Sequence, residues 1–235
     1  MPIDRRQALG VLGVAGAALA LGCGSDPGGA CLLDPTLTSG PYWTDGRLQR
    51  ADIRSDTTGA ASPDPRPGVP LSLTLQILAH GRSTCSPLSG AQVDLWHCDA
   101  GGIYSDVASS GTGGQNFLRG YQLTDPAGRV TFTTIYPGWY PGRAVHIHVK
   151  VRLFDGASNA TTEATTQLFF DDALTDEVFA SGSPYGDRGA RDTRNGNDAI
   201  YGGHRELLTA TTGSVLSGYT GTVVLGVQVG KVSSG

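Results

Sequence analysis

Apolar and polar residues alternate with a period of two in several short stretches of the chain. Leu71-Ser-Leu-Thr-Leu-Gln-Ile-Leu78 is the cleanest. Successive side chains of an extended chain point to opposite faces, so each such stretch predicts a strand with one apolar face. Similar patterns predict strands over residues 91–97, 117–124, 129–135, 146–154, 165–170 and 219–229. Asp125-Pro-Ala-Gly128 lies between two of them and carries turn chemistry. A single helical segment is expected at 174–180. The intervening stretches 33–53, 55–70, 80–90, 136–142 and 181–203 are rich in Gly, Pro and polar residues and predict loops. Seven or so strands with turn signals between them give an all-β class. The expected architecture is a β-sandwich of mainly antiparallel strands with long loops.

Composition narrows the picture. The chain has 235 residues with 35 Gly and 13 Pro, which suits many tight turns. Its formal net charge is -4 and no basic run lies inside it, so nucleic-acid binding has no electrostatic support. Near the start, Arg5-Arg6-Gln7-Ala8-Leu9 forms a twin-arginine pattern, followed by an apolar stretch over 9–21. That stretch is short for a membrane span and reads as the core of an export signal. Ala18-Leu19-Ala20 offers a cleavage site, while Ala20-Leu21-Gly22-Cys23 resembles a lipoprotein box, and both endings fit. The expected organisation is a signal segment over 1–22, a tether over 23–32 and one domain over 33–235. Export to the periplasm, or attachment to the cell envelope through a lipidated Cys23, is expected. Four cysteines are present: Cys23, Cys31, Cys85 and Cys98. Cys85 and Cys98 flank a predicted strand that holds its ends roughly 20 Å apart, so they do not pair with each other. Cys31 is then the better partner for one of them, and either choice fits.

The candidate chemistry centres on Arg143-Ala-Val-His-Ile-His-Val-Lys-Val-Arg-Leu-Phe154. His146 and His148 fall on one face of the predicted strand, with Cα atoms roughly 6–7 Å apart. Two imidazoles so spaced can converge on one metal ion. A bare His-x-His also suits a polar, hydrogen-bonded sheet face. Tyr140 lies six residues upstream, and Tyr104 follows the strand that ends at His97. A phenol bound to a ferric ion loses its proton, because the ion's charge overturns the ordinary acid–base order. Two phenolates with two imidazoles would make a hard, anionic site.

These residues sit in segments with a family resemblance. Thr134-Ile-Tyr-Pro-Gly-Trp-Tyr-Pro-Gly-Arg-Ala-Val-His-Ile-His148 resembles the metal-binding signature of the intradiol ring-cleavage dioxygenases, which include protocatechuate 3,4-dioxygenases and catechol 1,2-dioxygenases. Asp94-Leu-Trp-His-Cys-Asp-Ala-Gly-Gly-Ile-Tyr-Ser105 resembles the segment that supplies the first tyrosine, and Thr38-Ser-Gly-Pro-Tyr42 one that lines the substrate pocket. The stretch over 166–178 resembles the segment after the histidine strand. The resemblance implies a non-haem Fe(III) held by Tyr104, Tyr140, His146 and His148. It implies a catechol substrate, O2 as co-substrate and a muconate-type diacid as product. Tyr140 would take up a catechol proton, and Arg143 would steady negative charge on the ring. Gly40, Pro41, Tyr42 and Gln167 would line the pocket. Phe169 stands where a tyrosine is common, and an exported, self-contained chain departs from the better-known members.

Two other classes compete. A metal-free β-sandwich binding module would keep the scaffold and lose one or more of the four ligands, yet all four are present. A cupin-like Fe(II) or copper enzyme prefers His with a carboxylate or thiolate, and no carboxylate stands in a matching place. His97 reads as structural, on the face of Val93 and Leu95. His80 and His204 lie in loops without a role, and the oligomeric state is open.

Overall fold

The computed structural model describes residues 34–80 and 84–232. The expected signal segment, Cys23 and Cys31 lie outside the described residues. Two sheets form the fold, and each grows from the alternating patterns. The first is built on β1 (Pro70–His80), whose Leu71, Leu73, Leu75 and Ile77 are fully buried. Burying each such side chain contributes about 1.5–3 kcal/mol. Along one edge, β1 pairs antiparallel with β2 (Cys85–Pro87) and with β5 (Arg129–Ile135). Along the other it pairs with β9 (Gly218–Val227), in parallel, and β8 (Ala210–Ser214) continues the sheet beyond β9. The second sheet has the order β4 (Arg119–Leu123), β3 (Gln92–Trp96), β6 (His146–Phe154), β7 (Ala160–Phe169), antiparallel throughout. Ile147, Val149 and Val151 of β6 join the β1 leucines in one core.

The β-sandwich expected from the alternation is present, with three differences. Residues 80–90 are not all loop, because Cys85–Pro87 pairs with the end of β1. β8 adds a strand that the pattern did not predict, and β7 starts earlier, at Ala160. β2 and β8 are short, lie at sheet edges and carry no apolar rhythm, so alternation had nothing to register. The pairing of β1 with β9 makes the first sheet mixed. The helix α1 (Asp172–Ala180) is where expected, and the Asp171 carboxylate accepts hydrogen bonds from Ala173 N and Leu174 N to cap it. The Asp125–Gly128 turn is also present, with Asp125 accepting from Ala127 N and Arg129 N. Cys85 is disulfide-bonded, whereas Cys98 is a buried free thiol.

The polar face of β6 is buried as well. His146, His148, Lys150 and Arg152 are all 6% exposed or less. Residues before β1 help to cover this face, with Trp43 over Lys150 and Arg152 and Gly40 against His148.

Candidate metal centre

β6 and its two neighbours place the central residues. In the register, Trp96 of β3 and Gln167 of β7 stand on either side of His148, and Phe169 stands beside His146. The indole of Trp96 stacks on the His148 imidazole at 4.8 Å and 5° between planes, which fixes the ring. Gly40 (φ +67°) closes over the same imidazole: a Cβ there would come within 3.3 Å of His148 Cε1, so both the backbone angle and the space require glycine.

The two tyrosines arrive from loops. Tyr104 is buried and stacks on Tyr42 at 4.5 Å, and Tyr140 is half-buried, edge-on to both. Around His146 Nε2 lie Tyr140 Oη at 3.1 Å, His148 Nε2 at 3.2 Å and Tyr104 Oη at 3.5 Å. His146 Nδ1 sits 2.7 Å from Ala144 O. A carbonyl only accepts, so Nδ1 carries the proton and Nε2 presents a bare lone pair. One lone pair cannot satisfy three neighbours, and His148 Nδ1 has no partner at all. Metal–ligand bonds of about 2.0–2.1 Å place adjacent donor atoms about 3 Å apart, and the three distances from His146 Nε2 run from 3.1 to 3.5 Å. Among the described residues no three His, Cys, Asp or Glu side chains gather for a metal, so a site here has to draw on the phenols.

Burial governs the electrostatics of all four side chains. Burial, then the Arg143 charge, holds His146 down at about 3. Burial, then His146, holds His148 well below the free imidazole range. Both rings are therefore neutral at neutral pH. Burial pushes Tyr140 up to about 12, with the Arg143 charge opposing, and pushes Tyr104 well above the phenol range. Such phenols ionise only beside a strong positive charge. Two neutral imidazoles and two phenols that need a cation to ionise fit a hard trivalent ion.

Arg143 closes one side. Its Nε donates to Asp198 Oδ2 at 2.9 Å and its Nη2 to Gln167 Oε1 at 2.5 Å, while Nη1 faces His146 Nε2 at 3.4 Å. The Gln167 amide is held at both ends, since its Nε2 also donates to Thr38 O at 2.9 Å. Burial would raise the Asp198 carboxyl, but the N–H groups of Tyr201 and Ala144 and the Arg143 charge outweigh it and hold it below the usual range. Of the residues expected from sequence, Tyr104, Tyr140, Arg143, His146 and His148 come together here. Gly40, Tyr42 and Gln167 pack against that group, and Pro41 is exposed beside it. Sequence reasoning missed Asp198 and Trp96. Trp96 could be placed only through the β3–β6 register, and Asp198 looks like any acid of a polar loop. His97 is structural: Nδ1 donates to Cys98 O at 2.8 Å and Nε2 meets Thr134 Oγ1 at 2.7 Å.

Comparison with known proteins bears on the family and the fold. A family model described as Dioxygenase matches residues 38–193. The solved structure of an intradiol ring-cleavage dioxygenase from Tetranychus urticae superposes with a TM-score of 0.74 at 29% identity, covering 87% of this chain and 98% of that one. The dioxygenase domain of a dioxygenase carbohydrate-binding protein fusion from Streptomyces sp. SirexAA-E is also 29% identical, with a TM-score of 0.58, covering 84% of this chain and 99% of that one. A catechol 1,2-dioxygenase from Candida albicans is 40% identical over 55 residues, which are 23% of this chain and 18% of that enzyme.

Proposed function

Given that the chain belongs to the intradiol ring-cleavage dioxygenases, we propose that it cleaves a catecholic aromatic with O2 at an Fe(III) held by Tyr104, Tyr140, His146 and His148, releasing a muconate-type diacid. The observation that supports this reading is that both phenol oxygens and His148 Nε2 lie within 3.5 Å of His146 Nε2. When bound, ferric iron would supply the Lewis acidity that ionises the phenols and draws electron density from a chelated catecholate.

The chain's own residues divide the remaining work. Tyr104 is buried and stacked, so it stays in place. Tyr140 is half-buried and so reaches closer to solvent than Tyr104 does. Burial makes its phenolate a strong base, and a released Tyr140 takes a catechol proton at Oη. Arg143 presents Nη1 to the site, where a fixed positive charge favours a ring that gains carbanion character. Tyr42 and Gly40 form the wall against which the substrate ring lies. Export, with either cleavage after Ala20 or lipid attachment at Cys23, belongs to the same proposal, and mass spectrometry of the mature N-terminus decides between the two endings.

The deciding experiment is iron content and colour of the purified protein, followed by oxygen uptake with a panel of catechols and identification of the product. Stoichiometric iron, a red to burgundy phenolate band and a diacid product are expected. A colourless protein that holds zinc or no metal overturns the reading.

A further inference from the structure

We propose that Asp198 is the positioning residue of this centre: it aims the Arg143 guanidinium at the four donors and anchors the backbone that leads into His146. The proposal rests on the metal-binding reading above. Asp198 comes from the loop after α1, far from the ligands in sequence, yet its side chain is wholly buried at their edge. Its carboxylate accepts four hydrogen bonds. Oδ2 takes Arg143 Nε at 2.9 Å and Ala144 N at 2.7 Å, and Oδ1 takes Ile200 N at 2.8 Å and Tyr201 N at 2.9 Å. Four donors fill the acceptor capacity of a carboxylate, so none is left for substrate or metal. Its action passes through Arg143 and Ala144.

The geometry of the grip gives it a direction. A guanidinium is a planar fork, and two fixed corners define where the third points. Asp198 holds Nε and Gln167 holds Nη2, which leaves Nη1 facing His146 Nε2. The second contact of Oδ2 pins Ala144, whose carbonyl receives the His146 Nδ1 proton and so sets the tautomer that bares Nε2. The Asp198 loop is itself seated on the site, because Tyr201 packs edge-on to Phe169 at 5.0 Å and Phe169 faces His146 at 6.1 Å. A carboxylate serving only as ballast for a buried arginine would not need to hold both the guanidinium and the backbone next to a ligand.

The test combines Asp198→Asn, Arg143→Gln and the double variant. A wild-type protein without iron overturns the metal reading and this proposal with it. With iron bound, Asp198→Asn should keep its iron and visible band, leave KM near the parent value and lower kcat by about tenfold or more, the scale of losing an outer-shell partner. The double variant should lose clearly less than the product of the two single losses, because the route through Arg143 is already gone and only the hold on Ala144 remains. A kcat for Asp198→Asn within about threefold of the parent, or losses that multiply in the double variant, overturns the proposal. Two readouts guard against a variant that fails to fold. In metal-free wild type the Arg143 Nε–H should be a slowly exchanging proton by NMR, and fast exchange there sinks the proposal whatever the metal does. Arg143→Lys keeps a charge but cannot be gripped at Nε. It should fall to the Arg143→Gln level, and a kcat near the parent would show that aim is irrelevant.

Discussion

The polar face of β6 has two ends that share a strand, a face and a depth, and they are finished differently. At the far end every cation has a partner. Lys150 Nζ meets Glu163 at 2.7 Å, Arg152 meets Asp94 and Asp45 at 3.0 Å each, and the Trp43 ring lies beneath both. At the near end the polar atoms are left over. His146 Nε2 has more neighbours than lone pairs, and His148 Nδ1 has none. Buried polar groups are normally satisfied, and an unsatisfied one costs about 1–3 kcal/mol. Depth alone therefore does not separate structural from chemical residues. Pairing of the charged groups does: at the closed end each cation meets a carboxylate, whereas at the open end one histidine nitrogen faces another.

The most severe break of this contrast is His148→Leu. Loss of a ligand should cost more than the about 10–100-fold typical of outer-shell partners, so activity and bound iron should both vanish. The metal-free variant should nevertheless melt at or above the metal-free parent, because a buried group with an orphan nitrogen has been replaced by an apolar one. Retention of iron would remove His148 from the site. At the closed end the signs reverse. Arg152→Met should cost about 3–5 kcal/mol, since it strands the Asp94 charge, while iron content stays at the parent level in the folded fraction. Denaturant titration with parallel iron assays checks both halves. The paired variant Asp94→Leu with Arg152→Met should recover most of that loss, to within about 1–2 kcal/mol of the parent. Failure to recover would mean that the ion pair contributes more than mutual neutralisation.

The smallest effect concerns His97, a buried histidine with both nitrogens engaged. Burial holds it down at about 4, against 6.5 when free. Its folded value is depressed, so the unfolded chain binds the proton first as pH falls. The associated stability is present above pH 6.5 and is lost as pH falls through about 4. His97→Gln should therefore flatten the decline in unfolding midpoint across that window. An unchanged slope would exclude His97 from the acid response.

Much of this was legible in the chain because it is carried by local rhythm. Alternation in Leu71–Leu78 and His146–Phe154 locates the two central strands, and the spacing of His146 and His148 places both on one face. The tyrosines were legible through the motifs around them. What escaped is what depends on register and on contacts between distant segments. Trp96 reaches His148 only because β3 and β6 pair as they do. Asp198 reaches Arg143 across 55 residues, from a loop whose composition announces nothing. The burial of Lys150 and Arg152 was equally hidden, since the segment that covers them has no periodicity of its own.

The parallel pairing of β1 with β9 has a consequence in time. All four strands of the second sheet, and all four candidate ligands, have left the ribosome well before Gly218 does. The hairpins around the ligands can therefore zip up from neighbours in sequence. The first sheet cannot: until the last strand is synthesised, β1 has one edge bare and its leucines lack the Val223 and Leu225 layer. Contacts of such long sequence separation are slow to form. Closure of the first sheet is thus the late, slow step expected in folding, after the second sheet has formed from nearer neighbours.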